Sequence, residues 1–305
     1  TTNILPLLPT QEGIWLADQV AEDKSVYVIS HCIELADDIN PALLVQAIQQ
    51  GLSEADTVTA IYQAAGASAE QQLQVVDPAS IAVGVNDWSE QVDGKTRAWE
   101  SMWADTRAEL PLDGHQFSYR QELFQQELYR VTDATQGSSG NSVWLWYQRY
   151  HHIMLDGYSF TALTRRIVTI YSQLLEGKTS DVSPFVGVGE VVAEQQAYRA
   201  SAKWEKSKAF WQDYQRALPA ATSLSLRGAA NSQTSARLLS HRVEFPADTL
   251  AKINRITANA SPLTAPDLLL GLLTAYQARM TGQYSQSLGV PFMCRMGSVA
   301  VKSVA

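Results

Sequence analysis

The chain has 305 residues, of which 46% are hydrophobic and 18% are charged, and this composition is typical of a soluble globular protein with about two domains. A net charge of −8 disfavours a nucleic-acid partner, and the longest apolar run, residues 268–276, is well short of the roughly 18 to 20 residues that a membrane span needs. The two cysteines, Cys32 and Cys294, give neither a disulfide framework nor metal-ligand spacing, and the first residues lack the basic and apolar regions of a signal peptide. We therefore expect no metal site, no membrane partner and a cytoplasmic location.

The first half of the chain is predicted to mix strands and helices. Thr10 caps an opening helix, and Asn40 followed by Pro41 marks the start of a second helix with an apolar stripe. Further helices are predicted at residues 95–110 and 160–175. Strands are predicted at residues 26–35, 57–63, 72–76, 81–85, 119–132 and 142–150, with a turn at 137–141. This order predicts an α/β (α+β) fold rather than a helical bundle.

The second half follows residues 177–188, a segment rich in Gly, Ser, Thr and Pro that we interpret as the boundary between two domains. Helices are predicted at residues 190–200, 202–218, 248–259 and 267–280, strands at 238–245 and 287–294, and a polar loop at 228–235. So few strands cannot form a sheet with a well-buried face. We therefore expect the second domain to be incomplete in this chain.

Residues 151–157 join the most strand-like run of the chain to a helix, and they begin with two adjacent histidines. Side chains alternate between the two faces of a strand, so the two histidines have different surroundings and do not chelate one metal. We place His152 in a cleft, where imidazole can act as a base, and interpret His151 as a packed, hydrogen-bonded core residue. The alternation predicts that Trp144, Trp146, Gln148 and Tyr150 share the face of His152, and that Leu145, Tyr147 and Arg149 share the face of His151.

Asp156 and Gly157 complete the segment. Asp156 lies where a carboxylate caps a helix, so we expect it to hold the turn rather than to activate His152 directly. Gly157 removes a side chain at a point where another backbone segment or a substrate approaches closely. The double histidine, the three-residue gap and the glycine at a strand-to-helix junction together make the pattern specific.

Other chemistries have little support in the sequence. A Gly-x-Ser-x-Gly elbow and a phosphate-binding loop ending in Gly-Lys-Ser/Thr are both absent from the sequence. Gly187 and Gly189 form only a fragment of a dinucleotide-binding motif, and no suitable strand precedes them. The tryptophans are interpreted as walls of the core and the cleft.

Residues 151–157 resemble the His-His-x-x-x-Asp-Gly signature of the condensation domains of nonribosomal peptide synthetases. Residues 5–15, with Gln11 and Trp15, resemble the first motif of that family, and residues 289–295 resemble its Gly-x-Pro-x-x-x-Arg strand. The second motif departs from the family pattern, because Ala55 stands in place of a histidine and Thr59 in place of an arginine. Residues 146–152, 183–185 and 295–298 resemble the opening condensation domain of enterobactin-type siderophore synthetases.

The resemblance implies two chloramphenicol-acetyltransferase-like lobes in a V, with a complete first lobe at residues 1–180 and a partial second lobe at residues 181–305. It implies an acyltransferase that forms an amide from an acyl thioester on an upstream carrier protein and an amine on a downstream one. No cofactor is bound directly, because phosphopantetheine arms present both substrates, and an adjacent adenylation domain is a further expected partner. His152 is the implied catalytic residue, with His151, Asp156 and Gly157 as support and Arg295 as the partner of Asp156.

Three alternatives remain open at this point. Related folds with a shorter His-x-x-x-Asp motif act on coenzyme A thioesters, and epimerisation domains share the double histidine. A fragment with an unfinished second lobe is also compatible with a non-catalytic carrier-docking module.

The siderophore-like sequence implies an aryl acid such as 2,3-dihydroxybenzoate as donor and serine or threonine as acceptor.

Overall fold

The computed structural model describes residues 3–66, 68–110, 112, 123–132, 142–220, 222, 224, 243–260 and 262–305. The chain divides into two compact units, one made of Thr1–Ala200 and Met293–Ala305 and the other of Ser201–Phe292. The lobe boundary between residues 180 and 181 stays a prediction.

A small antiparallel sheet opens the first unit, with the strand order β1-β4-β3. Its strands and neighbouring helices are β1 (Asn3–Pro6), α1 (Pro9–Val20), α3 (Asp56–Thr59), β3 (Ile61–Ala65) and β4 (Ser68–Leu73). The strand predicted at residues 57–63 is wrong in its first part, where the chain forms α3. The cause is local, since the carbonyl of Ala55 accepts hydrogen bonds from the N–H groups of Val58 and Thr59 at 2.9 and 3.2 Å and closes a helical turn.

The larger sheet has the strand order β2-β7-β6-β5. Its strands are β2 (Val28–Ala36), β5 (Gly84–Asp87), β6 (Phe124–Thr132) and β7 (Ser142–His151). β2 and β6 flank β7 in antiparallel register, and β5 runs parallel to β6. The strands predicted at residues 26–35 and 142–150 are confirmed, which puts His151 at the end of the central strand. The turn predicted at residues 137–141 lies outside the described residues.

Helices cover both faces of this sheet, and the residues of β7 alternate between them as predicted. Trp144, Trp146 and Tyr150 join the main core, whereas Leu145 and Tyr147 join a second cluster on the opposite face. The helices involved are α2 (Pro41–Ser53) and α5 (Gly157–Leu175) in the main core, and α4 (Gly94–Arg107) in the second cluster.

The pair α2 and α5 fixes the position of α5 behind the large sheet. Asn40 caps α2 by accepting a hydrogen bond from the N–H of Leu43, and Pro41 is its first residue, as predicted. At Gly51 the two helices approach closely, since a Cβ there would lie 2.4 Å from Cγ1 of Ile167. A larger residue at this position would push α5 away from the sheet.

The first unit ends with α6 (Val188–Arg199) and a returning segment, residues 293–305, which contains a 3₁₀ turn at Val299–Lys302. Leu8, Val188, Val191 and Val192 form a small core that Ala300 and Ala305 also contact. The returning segment therefore packs onto the start of α1 and onto α6.

The second unit contains α7 (Ala202–Ala217), α8 (Ala247–Asn259) and α9 (Ala265–Thr281), close to the predicted bounds. Of the strand predicted at 238–245, residues 238–242 lie outside the described residues, as does the predicted loop at 228–235, and residues 243–245 are not in a strand. The strand predicted at residues 287–294 is also wrong for the described chain. A strand requires a hydrogen-bonded neighbour, and no described strand pairs with these residues. Within the described ranges, no helix combines the length and the apolar character needed to cross a membrane.

Candidate active site

The turn between β7 and α5 is held by backbone hydrogen bonds to two neighbouring segments. The N–H of His151 donates to the carbonyl of Leu123, and the N–H of His152 donates to the carbonyl of Tyr27, both at 2.7 Å. The N–H of Met154 then donates to the carbonyl of His151 at 3.1 Å and turns the chain away from the sheet. The position of His152 is therefore set by the β2 side of the sheet and by the turn itself.

His151 is fully buried at the end of β7. Its Nδ1 accepts a hydrogen bond of 3.1 Å from the N–H of Ile153, and its Nε2 lies 3.6 Å from Oδ1 of Asp18. Burial, with smaller contributions from His152 and Lys24, lowers the pKa of His151 to about 3. The ring is therefore neutral at physiological pH, in accordance with the packed, hydrogen-bonded histidine that was predicted.

His152 is half-buried and lines a cavity of the first unit. Its Nδ1 is buried and has no hydrogen-bond partner among the described residues. Buried polar atoms without a partner are uncommon, and they often occur at positions where a ligand or a proton is exchanged. The two adjacent histidines thus have different surroundings, because His151 ends β7 and His152 lies in the turn beyond the strand.

Asp156 caps α5 and pairs with an arginine. Its Oδ1 accepts hydrogen bonds of 2.8 Å from both the N–H and the hydroxyl of Ser159, and lies 3.0 Å from Nη2 of Arg295. Burial would raise the pKa of Asp156, but the bonds from Ser159 and the charge of Arg295 outweigh burial and hold the pKa below its ordinary value. The carboxylate is ionised and engaged, which fits a role in holding the turn.

Arg295 ties the returning segment to the start of α5. Its guanidinium donates to the hydroxyl of Ser159 at 2.8 Å, and to the carbonyls of Ala300 and Ser303 at 2.8 and 3.2 Å. It also lies over the ring of Tyr158, 4.9 Å from the centroid. The structure therefore brings Arg295 and Asp156 together, as the family resemblance implied.

Gly157 has a different environment from the one predicted. A Cβ built at this residue meets no described atom within 4 Å, so a close approach of another backbone segment is not the reason for the glycine. The adjacent space is open. A substrate that uses this space stays a prediction.

The cavity has a volume of about 620 Å³ and is formed wholly by residues of the first unit. Most of its lining is apolar and includes Ile14, Val26, Ile153, Met154, Leu155 and Met293. Its polar lining includes Tyr27, His152, Asp156, Gln195, Arg295 and Ser298. Such a mixture of an apolar wall with a few polar groups is typical of a site for a small molecule or for the end of a tethered substrate.

The positions that depart from the family's second motif lie in the hydrophobic core. Ala55 is fully buried, and Thr59 is 4% exposed with its hydroxyl near the carbonyls of Ala55, Asp56 and Gln74. Neither residue lines the cavity described above. In the part of the chain that the structure describes, no cluster of three or more His, Cys, Asp or Glu side chains has the arrangement of a metal site.

Sequence reasoning missed Asp18, which faces His151, and the carbonyl of Tyr27, which accepts a hydrogen bond from the N–H of His152. A signal for Asp18 was present. Gln11, Trp15 and Asp18 follow the i, i+4, i+7 spacing of the buried face of α1, so two polar side chains lie at positions that are normally apolar.

Comparison with known proteins gave a consistent result along the whole chain. A family model described as Condensation domain matches residues 1–305. Enterobactin synthase component F of Escherichia coli O157:H7 is 34% identical over 299 residues, which cover 97% of this chain and 22% of that protein. Vanchrobactin synthetase VabF of Vibrio anguillarum is 30% identical over 296 residues, which cover 97% of this chain and 10% of that protein. The chain thus spans about a fifth or less of the length of these relatives.

Solved structures show the same fold. A variant of the starter condensation domain of rhizomide synthetase RzmA, in complex with C8-CoA, is 26% identical and superposes with a TM-score of 0.78. The match covers 99% of this chain and 63% of the RzmA chain. The mixed α/β architecture that the sequence predicted, here with two sheets, is therefore the fold of solved condensation domains.

Proposed function

The chain belongs to the condensation-domain family, and from this premise we propose that its site joins an acyl group and an amine in an amide bond. The donor is an acyl thioester on an upstream carrier protein, and the acceptor is an aminoacyl group on a downstream one. Phosphopantetheine arms carry both groups, so the proposal needs no directly bound cofactor. An adjacent adenylation domain would supply the activated amino acid.

The observation that carries this proposal is the environment of His152. Its ring lines a largely apolar cavity of about 620 Å³ and keeps a buried nitrogen without a hydrogen-bond partner among the described residues. An imidazole in such a place is able to accept a proton from an attacking amine or to orient that amine. The other groups of the motif are already engaged in holding the turn.

The reaction balances without a covalent intermediate on the protein. The amine nitrogen attacks the thioester carbonyl, a C–N bond forms, and the C–S bond then breaks. His152 takes the proton that the amine loses and returns it to the departing sulfur, so the products are an amide and a free thiol. His151, Asp156 and Arg295 support this step by fixing the position of the turn, and Gly157 keeps the space beside it open.

A role in siderophore biosynthesis is supported by the similarity to the enterobactin and vanchrobactin synthetases. On this ground we infer an aryl acid such as 2,3-dihydroxybenzoate as the acyl group and serine or threonine as the amine. The free cysteines Cys32 and Cys294 fit the reducing cytoplasm in which we place the reaction.

The test is reconstitution of the protein that contains this domain with separately loaded donor and acceptor carriers, with products read by intact-protein mass spectrometry. The proposal predicts that the acyl mass moves to the acceptor carrier and that the donor carrier is left with a free thiol. As a control, a known condensation domain should accept both loaded carriers. If it does, and the same carriers remain unchanged with this protein, the proposal is contradicted.

One specific observation favours a second candidate, a coenzyme A-dependent acyltransferase, because the RzmA domain was solved with C8-CoA. The same assay distinguishes the two. Acyl transfer from an acyl-CoA at the rate seen with the acyl-carrier would favour the second candidate, and transfer that requires the carrier would favour the first.

A further inference from the structure

Helix α1 presents an unusual buried face to the turn that carries His152. Gln11 is 5% exposed, Trp15 is 7% exposed and Asp18 is fully buried, and these residues lie on one side of the helix. A buried carboxylate and a buried carboxamide are costly unless they make polar contacts. The polar contacts of Gln11 and Asp18 show which residues of the turn the helix holds in place.

Asp18 faces His151, the residue directly before His152. Because Nδ1 of His151 accepts a hydrogen bond from the N–H of Ile153, the proton of the neutral ring lies on Nε2, which faces Oδ1 of Asp18 at 3.6 Å. This distance is longer than a hydrogen bond, and such contacts in unliganded sites often tighten when substrate binds. Lys24 lies 3.4 Å from the other carboxylate oxygen and offsets its charge.

Gln11 holds the residue on the other side of His152. Its Nε2 donates to the carbonyl of Ile153 at 3.2 Å, and its Oε1 accepts from the N–H of Leu8 at 2.9 Å. Gln71, which is also fully buried, pairs with the Gln11 carboxamide and donates to the carbonyl of Pro6. One rigid helix therefore contacts both neighbours of His152 through polar side chains.

We propose that Asp18 is a positioning residue of the amide-forming site, which fixes the turn around His152 through the Nε2–H of His151, with Gln11 as the second point of attachment. The inference rests on the proposed function. Asp18 touches no substrate in this account. It acts on the placement of the imidazole, and displacement of a catalytic group by about 1 Å can cost on the order of 100-fold in rate.

The test compares Asp18→Asn with the matched control Glu22→Gln, which removes the same charge from an exposed residue near the end of α1. In Asp18→Asn, the ammonium of Lys24 attracts the carboxamide oxygen, so the NH₂ group faces the Nε2–H of His151, donor against donor. We expect kcat for amide formation to fall about 10- to 100-fold while KM for both carriers changes less than about threefold. The control should match the wild type.

A double variant tests whether the loss in Asp18→Asn comes from the orientation of the carboxamide. Adding Lys24→Met to Asp18→Asn frees the carboxamide oxygen to accept from His151, so kcat should recover to within about fivefold of the wild type. Nitrogen-15 NMR of the imidazoles should show the Nε2–H tautomer of His151 in the wild type and in the double variant. All rates are measured in the protein that contains the full domain, at a temperature at which circular dichroism shows each variant folded.

A normal kcat in folded Asp18→Asn would overturn the inference, as would an equal loss in Glu22→Gln or a loss that Lys24→Met leaves unchanged. The proposed function fails in a different way. It fails if wild-type protein forms no amide or if His152→Ala forms it at the wild-type rate, whatever the Asp18 variants do.

Discussion

Replacing Asp156 by asparagine separates the helix cap from the ion pair with Arg295. Asparagine caps a helix about as well as aspartate, so the hydrogen bond from the N–H of Ser159 should survive. The ion pair between Asp156 and Arg295, at 3.0 Å, is lost in this variant. In the wild type the side chain of Asp156 is 42% exposed and that of Arg295 is 7% exposed. An exposed pair contributes about 0 to 1 kcal/mol, and breaking a buried one costs about 3 to 5 kcal/mol.

This half-buried pair falls between those limits, so Asp156→Asn should lower the free energy of unfolding by about 2 kcal/mol. Asp156→Ala also removes the cap and should cost about 1 kcal/mol more. His152→Ala should cost less than about 1 kcal/mol, because its side chain is half-buried and makes no hydrogen bond among the described residues. The three variants therefore form a graded series.

Urea denaturation measures the series directly, and the loss of about 2 kcal/mol corresponds to a melting temperature lower by roughly 4 to 8 °C in a unit of this size. The control is Arg295→Met, in which Asp156→Asn should cause little further loss because the pair is already broken. Equal stability of Asp156→Asn and His152→Ala would refute the reasoning, since the two residues would then support the turn equally.

Two further predictions concern buried ionisable side chains of the first unit. The pKa of His151 is about 3 in the folded chain and ordinary, about 6.5, when unfolded, so its contribution to stability is complete above pH 6.5 and is lost as pH falls toward 3. His151→Asn keeps an acceptor for the N–H of Ile153 but does not titrate. In this variant the fall in the free energy of unfolding between pH 7 and pH 5 should therefore be about 2 kcal/mol smaller than in the wild type. An unchanged fall would exclude His151 as the titrating group. Arg166, whose side chain is 4% exposed, donates to Glu54 at 2.7 and 2.9 Å, so Arg166→Met should cost about 3 kcal/mol in urea denaturation. Adding Glu54→Leu should recover more than half of this loss, and a cost below about 1 kcal/mol for Arg166→Met alone would contradict a buried ion pair.

The elements that the sequence predicted well are those with a local physical cause. The start of α2 follows from a capping asparagine and a proline that needs no hydrogen-bond partner, and β7 follows from a long run of aromatic and apolar residues. The errors arise where contacts with neighbouring segments determine the secondary structure. Residues 57–59 have strand-like side chains, but the carbonyl of Ala55 closes a helical turn, and residues 287–294 have no described strand beside them.

The site divides in the same way. The spacing of Asp156 before α5 was sufficient to predict the cap. The separate surroundings of His151 and His152 were also predicted, but their cause is that β7 ends at His151 and His152 lies in the turn. The contact of Arg295 with Asp156 came from a family resemblance, because no local pattern connects residues so distant in the chain. Asp18 was missed because a carboxylate on a helix is normally read as solvent-exposed, and only the tertiary structure shows it facing a buried histidine.

The central claim is that His152 moves the proton during amide formation, and single-turnover kinetics of His152→Ala test it most directly. Donor and acceptor carriers are loaded beforehand, mixed with excess protein, and quenched for intact-protein mass spectrometry. The account predicts a rate of amide formation at least about 100-fold below that of the wild type, with unchanged loading of both carriers and unchanged circular dichroism. A rate within about threefold of the wild type would contradict it.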